Sequence, residues 1–206
     1  MTIHVANDIK LDEYRNAEHP VEPLFVGRWS PRAYDGSQMP QADLMTILEA
    51  ARWAPSAYNV QPWRFVYALR GDANWDKLLD LLNPFNKDWA QRASALVFLF
   101  SDKLVDQEGA EPLVSGTHSF DAGAAWAQAA LQATALGYHA HAMAGLMHDD
   151  IPAALNVPER YKIEIAFAVG RRGDVSVLPE ALQERDLPSP RLPLSKTAFA
   201  GGFKAG

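Results

Sequence analysis

Cysteine is missing from this 206-residue chain, so it offers no disulfide framework, no thiolate metal site and no cysteine nucleophile. Long hydrophobic runs are missing as well: no apolar stretch approaches the ~20 residues of a membrane-spanning helix. Nor is there a surplus of basic residues. Lys and Arg number 19 against 25 Asp and Glu, a formal charge of -6, which disfavours a general role on nucleic acid or on an anionic membrane surface. The stretch from Met1 to Asp8 lacks a basic region followed by an apolar run, so no signal peptide is read there and a cytoplasmic setting is expected. No Gly-x-Ser-x-Gly elbow and no P-loop are present. Gly170-Arg171-Arg172-Gly173 lacks the glycine pattern of a dinucleotide turn. No triad or acid–base pair can be picked out.

What is present is ordinary globular material, 48% hydrophobic and 21% charged, enough for one domain over 1–206 with a substantial core. Residues 1–27, with Pro20 and Pro23, read as an N-terminal arm with one short helix. Helical spacing of Leu44, Ile47, Leu48 and Ala51 predicts a helix between Pro40 and Trp53. Alternation through Trp63, Phe65, Tyr67 and Leu69 predicts a strand. Helices follow at about 74–82 and 87–92, then an unbroken apolar strand, Ala95 to Phe100, of the kind covered on both faces. Residues 101–118 turn polar and read as a long loop, either disordered or a lid. An alanine-rich helix from Phe120 to Leu136, apolar nearly all round, is closed by Gly137. A short strand at 139–143, a helix capped by Asp149 or Asp150 and ending near Asn156, and a last strand at 163–169 complete the order. The tail, 171–206, reads as extended. Helices interleaved with short apolar strands suggest an α+β sandwich around one sheet.

The most informative segment is Ala54-Pro55-Ser56-Ala57-Tyr58-Asn59-Val60-Gln61-Pro62-Trp63. Its prolines restrict the backbone, and Ser56, Tyr58, Asn59 and Gln61 sit between them, a stiff loop that suits a flat ligand with a polar edge. A merely polar connection would look similar. Just before the first strong helix, Arg28-Trp29-Ser30-Pro31-Arg32 would, if extended, put residues 28, 30 and 32 on one side, a grip for phosphate or a polar ring. Arg191 is locked between prolines near the end of the chain. An exposed basic turn and a proline-rich tail are the bland readings of the two. His139-x-His141 with His148-Asp149-Asp150 could ligate a metal, but no third ligand has convincing spacing and no metal site is assigned.

Taken in order, Arg28-x-Ser30-x-Arg32, Ala54-Pro55-Ser56…Asn59-x-Gln61-Pro62-Trp63, Phe85-Asn86, Gly145 and Arg191 resemble the FMN-dependent nitroreductase family, over about 27–203. The resemblance implies a central, mostly antiparallel sheet flanked by helices, in an intertwined homodimer with FMN at the interface. Arg28 and Arg191 would bind the FMN phosphate, assisted by Ser30, with Trp29 in the same segment. Arg32 would lie beside the pyrimidine edge, which Asn86 would hydrogen-bond. Gly145, with the backbone of Ala144 and Leu146, would face flavin N5. The loop carrying Pro55, Ser56, Ala57, Asn59 and Gln61 would approach the flavin of the neighbouring subunit. The activity implied is transfer of hydride from NADH or NADPH, through flavin N5, to a nitroaromatic, quinone or other small-molecule acceptor, with ping-pong kinetics and no catalytic side chain. A different redox step on the same fold, such as dehydrogenation or dehalogenation, and a flavin-binding protein without turnover are the alternatives. Three departures stand out. Ala144 occupies the position of a frequent acid, Ser189 that of a frequent lysine, and the lysine expected near the pyrimidine edge has only Lys87 as a candidate, with Trp89 closer to the expected position.

Overall fold

The computed structural model describes residues 9–203; the outer parts of the arm and of the tail, 1–8 and 204–206, lie outside the described residues. The sheet strands are β1 (Trp63–Leu69), β2 (Ala95–Asp102), β5 (His139–Met143) and β6 (Tyr161–Gly170), and an outlying pair is β3 (Leu104–Gln107) and β4 (Ala110–Val114). The α-helices are α1 (Pro23–Gly27), α2 (Gln41–Arg52), α3 (Trp75–Leu79), α4 (Pro84–Ala90), α5 (His118–Ala135), α6 (Ile151–Leu155) and α7 (Glu180–Gln183).

β2 explains the architecture. All eight of its residues are buried. Side chains of a strand alternate between faces, and here Leu96, Phe98 and Phe100 enter one core while Ala95, Val97 and Leu99 enter another. A strand with two apolar faces must be covered twice. It pairs antiparallel with β1 and β6, and β6 pairs antiparallel with β5, in the order β1-β2-β6-β5. The antiparallel sheet and flanking helices implied by the resemblance are therefore present.

On one face lie α2 and α5, where Leu44, Ile47 and Ala51 meet Ala122, Ala125, Ala129 and Ala133. The alanines of α5 keep that layer thin. Gly137, at φ 78°, supplies the left-handed residue that ends α5, and Tyr138 N–H then bonds the Ala133 carbonyl. On the other face Trp75, Leu78 and Leu79 of α3 and Trp89 and Ala90 of α4 form the second core. Among the described residues no helix is long and apolar enough to cross a membrane.

Several expectations need correction. Residues 101–118 are not a long loop: β2 continues to Asp102, and β3 and β4 form an antiparallel hairpin. Its turn passes through Gly109 at φ 70°, and Leu104-Val105 pairs with Leu113-Val114. The acidic residues between these short apolar pairs hid the pattern. Helix α3 stops at Leu79, shorter than the spacing of Leu82 suggested, because Leu82 leaves the helix to bridge Leu146. Pro84 starts α4 earlier than expected, since a proline fits a first turn. Asp150 stands at the N-cap of α6 but makes no side-chain cap bond. The arm holds a 3-10 turn, Leu11–Glu13, besides α1. The tail is not purely extended: short turns Val175–Val177 and Leu194–Lys196 and helix α7 punctuate it.

Candidate functional site

The five residues from Arg28 to Arg32 leave α1 without regular structure and run past the start of β5. Trp29 is buried and meets the His139 ring edge-on at 5.6 Å, which fixes the segment and leaves its neighbours facing a cavity. That cavity, roughly 610 Å³, is lined by Arg28, Trp29, Ser30 and Arg32, by Tyr14 and Arg15 of the arm, by His141 of β5, and by the tail from Glu184 to Arg191. Arg28 donates to Ser30 Oγ at 3.1 Å. The structure thus brings Arg28, Trp29, Ser30, Arg32 and Arg191 to one place.

Charge in the cavity runs against the charge of the chain. Arg15, Arg28, Arg32, Arg185 and Arg191 line it, against one carboxylate, Glu184. Among the described residues, Arg15, Arg28 and Arg191 pair with no carboxylate within 4.0 Å. Burial and the charge of Arg191 hold the Arg28 guanidinium below its ordinary pKa. Burial lowers Arg15 to about 10, with Arg191 and Arg28 adding repulsion. Like charges gathered this way are stabilised by an anion.

His141 lies deeper. Its Nδ1 sits 3.1 Å from the Pro31 carbonyl, which can only accept, so the neutral ring carries its proton there and leaves Nε2 an acceptor. Its ring packs against Trp89 with centroids 4.7 Å apart and planes tilted by 46°. Burial first, and then the charges of Arg32 and Arg28, lower its pKa to about 4, so it is neutral at physiological pH. Asp186, from the tail and almost wholly buried, accepts from the backbone N–H groups of Arg32 at 2.5 Å and Ala33 at 3.2 Å. It fixes the backbone that presents the Arg32 side chain. Burial raises the Asp186 pKa despite those bonds.

A second group adjoins through β5 and α4. Asn86 donates from its side-chain amide to the Gly145 carbonyl at 3.0 Å, which also accepts from Asn83 N–H at 3.1 Å. Asn83 caps α4 by accepting from Asn86 N–H. A Cβ on Gly145 would run into the amides of Asn83 and Asn86, the latter at 2.8 Å, so any larger residue must displace them. Leu146 bridges Leu82, and Ala144 is exposed. Two buried donors, Arg32 Nε and Trp89 Nε1, have no hydrogen-bond partner among the described residues, and Arg32 lies 5.9 Å over the Trp89 ring. Lys87 is not at the site, since its ammonium pairs with Asp80 on the surface.

The loop from Pro55 to Gln61 does not line the cavity. Its backbone is held by Ser56 Oγ accepting from Gln61 N–H at 3.0 Å, by Gln61 donating to the Asn59 carbonyl, and by buried Asp121 accepting from Ala57 N–H at 3.3 Å. Tyr58, Asn59 and Gln61 all have positive φ, at 49°, 57° and 53°. Such angles are costly for Tyr and Gln. Tyr58 is fully exposed in the isolated chain. The loop is thus strained and tightly tethered, and no residue from Pro55 to Gln61 is buried in the isolated chain. Trp63, by contrast, is a core residue.

Sequence reasoning missed Arg15, Asn83 and Asp186, and it gave His141 no part in the site, reading it as a partly buried histidine rather than a metal ligand. Arg15 sits in an unpatterned arm and Asp186 in an unpatterned tail, so neither carries a local signal. His139 and His141 pack on Trp29 and Trp89, and among the described residues no group of three or more His, Cys, Asp or Glu could hold a metal.

The sequence profile of the nitroreductase family matches residues 26–171. An uncharacterized 15.4 kDa protein of Mycolicibacterium smegmatis is 35% identical over 147 residues, 67% of this chain and 95% of that protein. The major NAD(P)H-flavin oxidoreductase of Aliivibrio fischeri is 33% identical over 90 residues, 42% of this chain and 40% of that enzyme. A crystal structure described as an oxidoreductase containing FMN is 50% identical with a TM-score of 0.91, covering 93% of this chain and 97% of that one.

Proposed function

The chain belongs to the nitroreductase family, and on that premise we propose that it is an FMN-dependent oxidoreductase taking electrons from NADH or NADPH and delivering them to electron-poor acceptors such as nitroaromatics or quinones. The observation that carries the cofactor assignment is the cavity with five arginines and one carboxylate in a chain of net charge -6. A phosphate monoester of about -1.5 to -2 charge suits three guanidinium groups that have no carboxylate partner among the described residues. The buried donors Arg32 Nε and Trp89 Nε1, unpartnered among the described residues, suit the polar edge of a ring system.

FMN, when bound, supplies the hydride chemistry between nicotinamide and acceptor. The chain's own residues do the rest. Arg28, Ser30 and Arg191 hold the phosphate. Arg32, positioned through its backbone by Asp186, would hold the polar edge of the ring, and a fixed cation there would favour its reduction. His141 stays neutral and adds no competing charge. Gly145, locked by Asn83 and Asn86, lets backbone approach a flat ligand closely. The 55–61 loop, outside the cavity of its own chain, supports a homodimer in which it closes the site of the partner. A nicotinamide donor fits a cytoplasmic setting.

Steady-state kinetics with NAD(P)H and a quinone test the proposal. Parallel double-reciprocal lines are expected, because donor and acceptor would use one site in turn. Turnover confined to a third compound that needs no nicotinamide would favour dehydrogenation or dehalogenation. Binding of FMN without reduction by either nicotinamide would favour a non-catalytic carrier.

A further inference from the structure

The tail lacks a second cation at Ser189, two residues before Arg191. The structure brings another one in from the opposite end of the chain. Arg15, 174 residues earlier, donates from Nε to the Ser189 carbonyl at 2.9 Å. Through Nη1 it also donates to the carbonyls of Val26 at 2.8 Å and Arg28 at 2.7 Å. One guanidinium therefore bridges the segment carrying Arg28 and the segment carrying Arg191, and it lines the same cavity as both.

A purely structural staple accounts for these bonds only in part. Neutral donors such as an amide can also bridge carbonyls, and they avoid repulsion. Arg15 instead adds a third positive charge beside Arg28 and Arg191, and no carboxylate lies within 4.0 Å of any of the three among the described residues. Its repulsion with the other two opposes folding of the empty protein and is relieved when an anion sits among them.

We propose that Arg15 is a third phosphate-binding residue of the flavin site, contributing its charge to the FMN phosphate while it orients the segments that bear Arg28 and Arg191. The proposal rests on the FMN reading given above. It assigns to the N-terminal arm a part in cofactor selection: the arm makes the site specific for the phosphorylated flavin over riboflavin.

The test is equilibrium binding of FMN and of riboflavin to the full-length protein, followed by quenching of flavin fluorescence, for wild type, Arg15→Gln, Arg15→Ala and Arg15→Lys. Gln retains amide donors for the carbonyls without the charge; Lys retains the charge. Loss of a charge-assisted bond predicts roughly ten- to hundredfold weaker FMN binding for Arg15→Gln and Arg15→Ala, with riboflavin binding changed less than about twofold. Arg15→Lys is expected to lie nearer wild type than Arg15→Gln does. Should Arg15→Ala fail to fold, the Gln and Lys pair decides the matter. Wild-type affinity for FMN in Arg15→Gln would overturn the proposal, as would equal losses for FMN and riboflavin, which mark a staple and nothing more. Wild-type protein that binds neither flavin would overturn the FMN reading itself, a different result from either.

Discussion

Acidification should destabilise the ligand-free protein through His141. In an unfolded chain this histidine titrates near its ordinary value of 6.5; in the fold, burial and the nearby charges of Arg32 and Arg28 bring it to about 4. Between those values the unfolded state holds the proton more readily than the folded state, so stability falls as pH falls. The full stability is present above about 6.5, is lost progressively down to about 4, and changes no further below that. Each tenfold difference in proton affinity is worth about 1.4 kcal/mol. The linkage then predicts a loss of about 2 kcal/mol between pH 7 and pH 5, rising to about 3 kcal/mol by pH 4. Urea unfolding of wild type and His141→Gln at pH 7, 6 and 5 measures it. The variant keeps an amide donor for the Pro31 carbonyl and cannot be charged. It is expected to be less stable at pH 7, from imperfect packing on Trp89, and to lack the decline seen in wild type. Equal pH slopes for the two proteins would refute the claim that His141 is held neutral by its surroundings.

Three further outcomes follow from the site. Arg28→Ala and Arg191→Ala should each weaken FMN binding by a few kcal/mol, as measured by fluorescence titration, since each removes a charged phosphate ligand; unchanged affinity in both would sink the phosphate assignment. Gly145→Ala places a methyl group against Asn83 and Asn86, and overpacking of this kind costs about 1–3 kcal/mol in chemical denaturation, with loss of FMN affinity alongside. Tyr58→Gly relieves a strained φ of 49° at a fully exposed position, so thermal unfolding of the ligand-free protein should be unchanged or shifted upward by the equivalent of about 1 kcal/mol; a clear loss of stability would show that the angle is not strained.

Much of this was legible in the chain because the signals were local. The apolar run Ala95 to Phe100 is consistent with a doubly covered strand, and the alanine-rich stretch of α5 closed by Gly137 with a largely apolar, capped helix, and both are found. The arginine-serine-arginine segment and the proline-flanked loop carry their chemistry in consecutive residues. What stayed hidden depends on contacts between distant segments. Arg15 acquires meaning only by reaching Ser189, and Asp186 only by reaching the backbone of Arg32 and Ala33. The hairpin at β3 and β4 stayed hidden for another reason: its apolar pairs are two residues long and its second strand is exposed throughout, so little burial pattern is written into it. Alternation on a strand puts His141 in line with His139, which raises a metal site without a convincing third ligand. The packing of each ring on a different tryptophan gives the pair another purpose.

The central claim is that this chain holds FMN and passes electrons through it, and the absorbance spectrum of the purified, full-length protein tests that most directly. The spectrum is recorded without air, after equilibration with FMN and removal of the excess, then again after addition of NADH or NADPH. The account predicts a yellow protein whose flavin band bleaches with a nicotinamide and returns on addition of a quinone. A colourless protein that retains no FMN would contradict the cofactor assignment, and a yellow one that neither nicotinamide bleaches would contradict the oxidoreductase assignment.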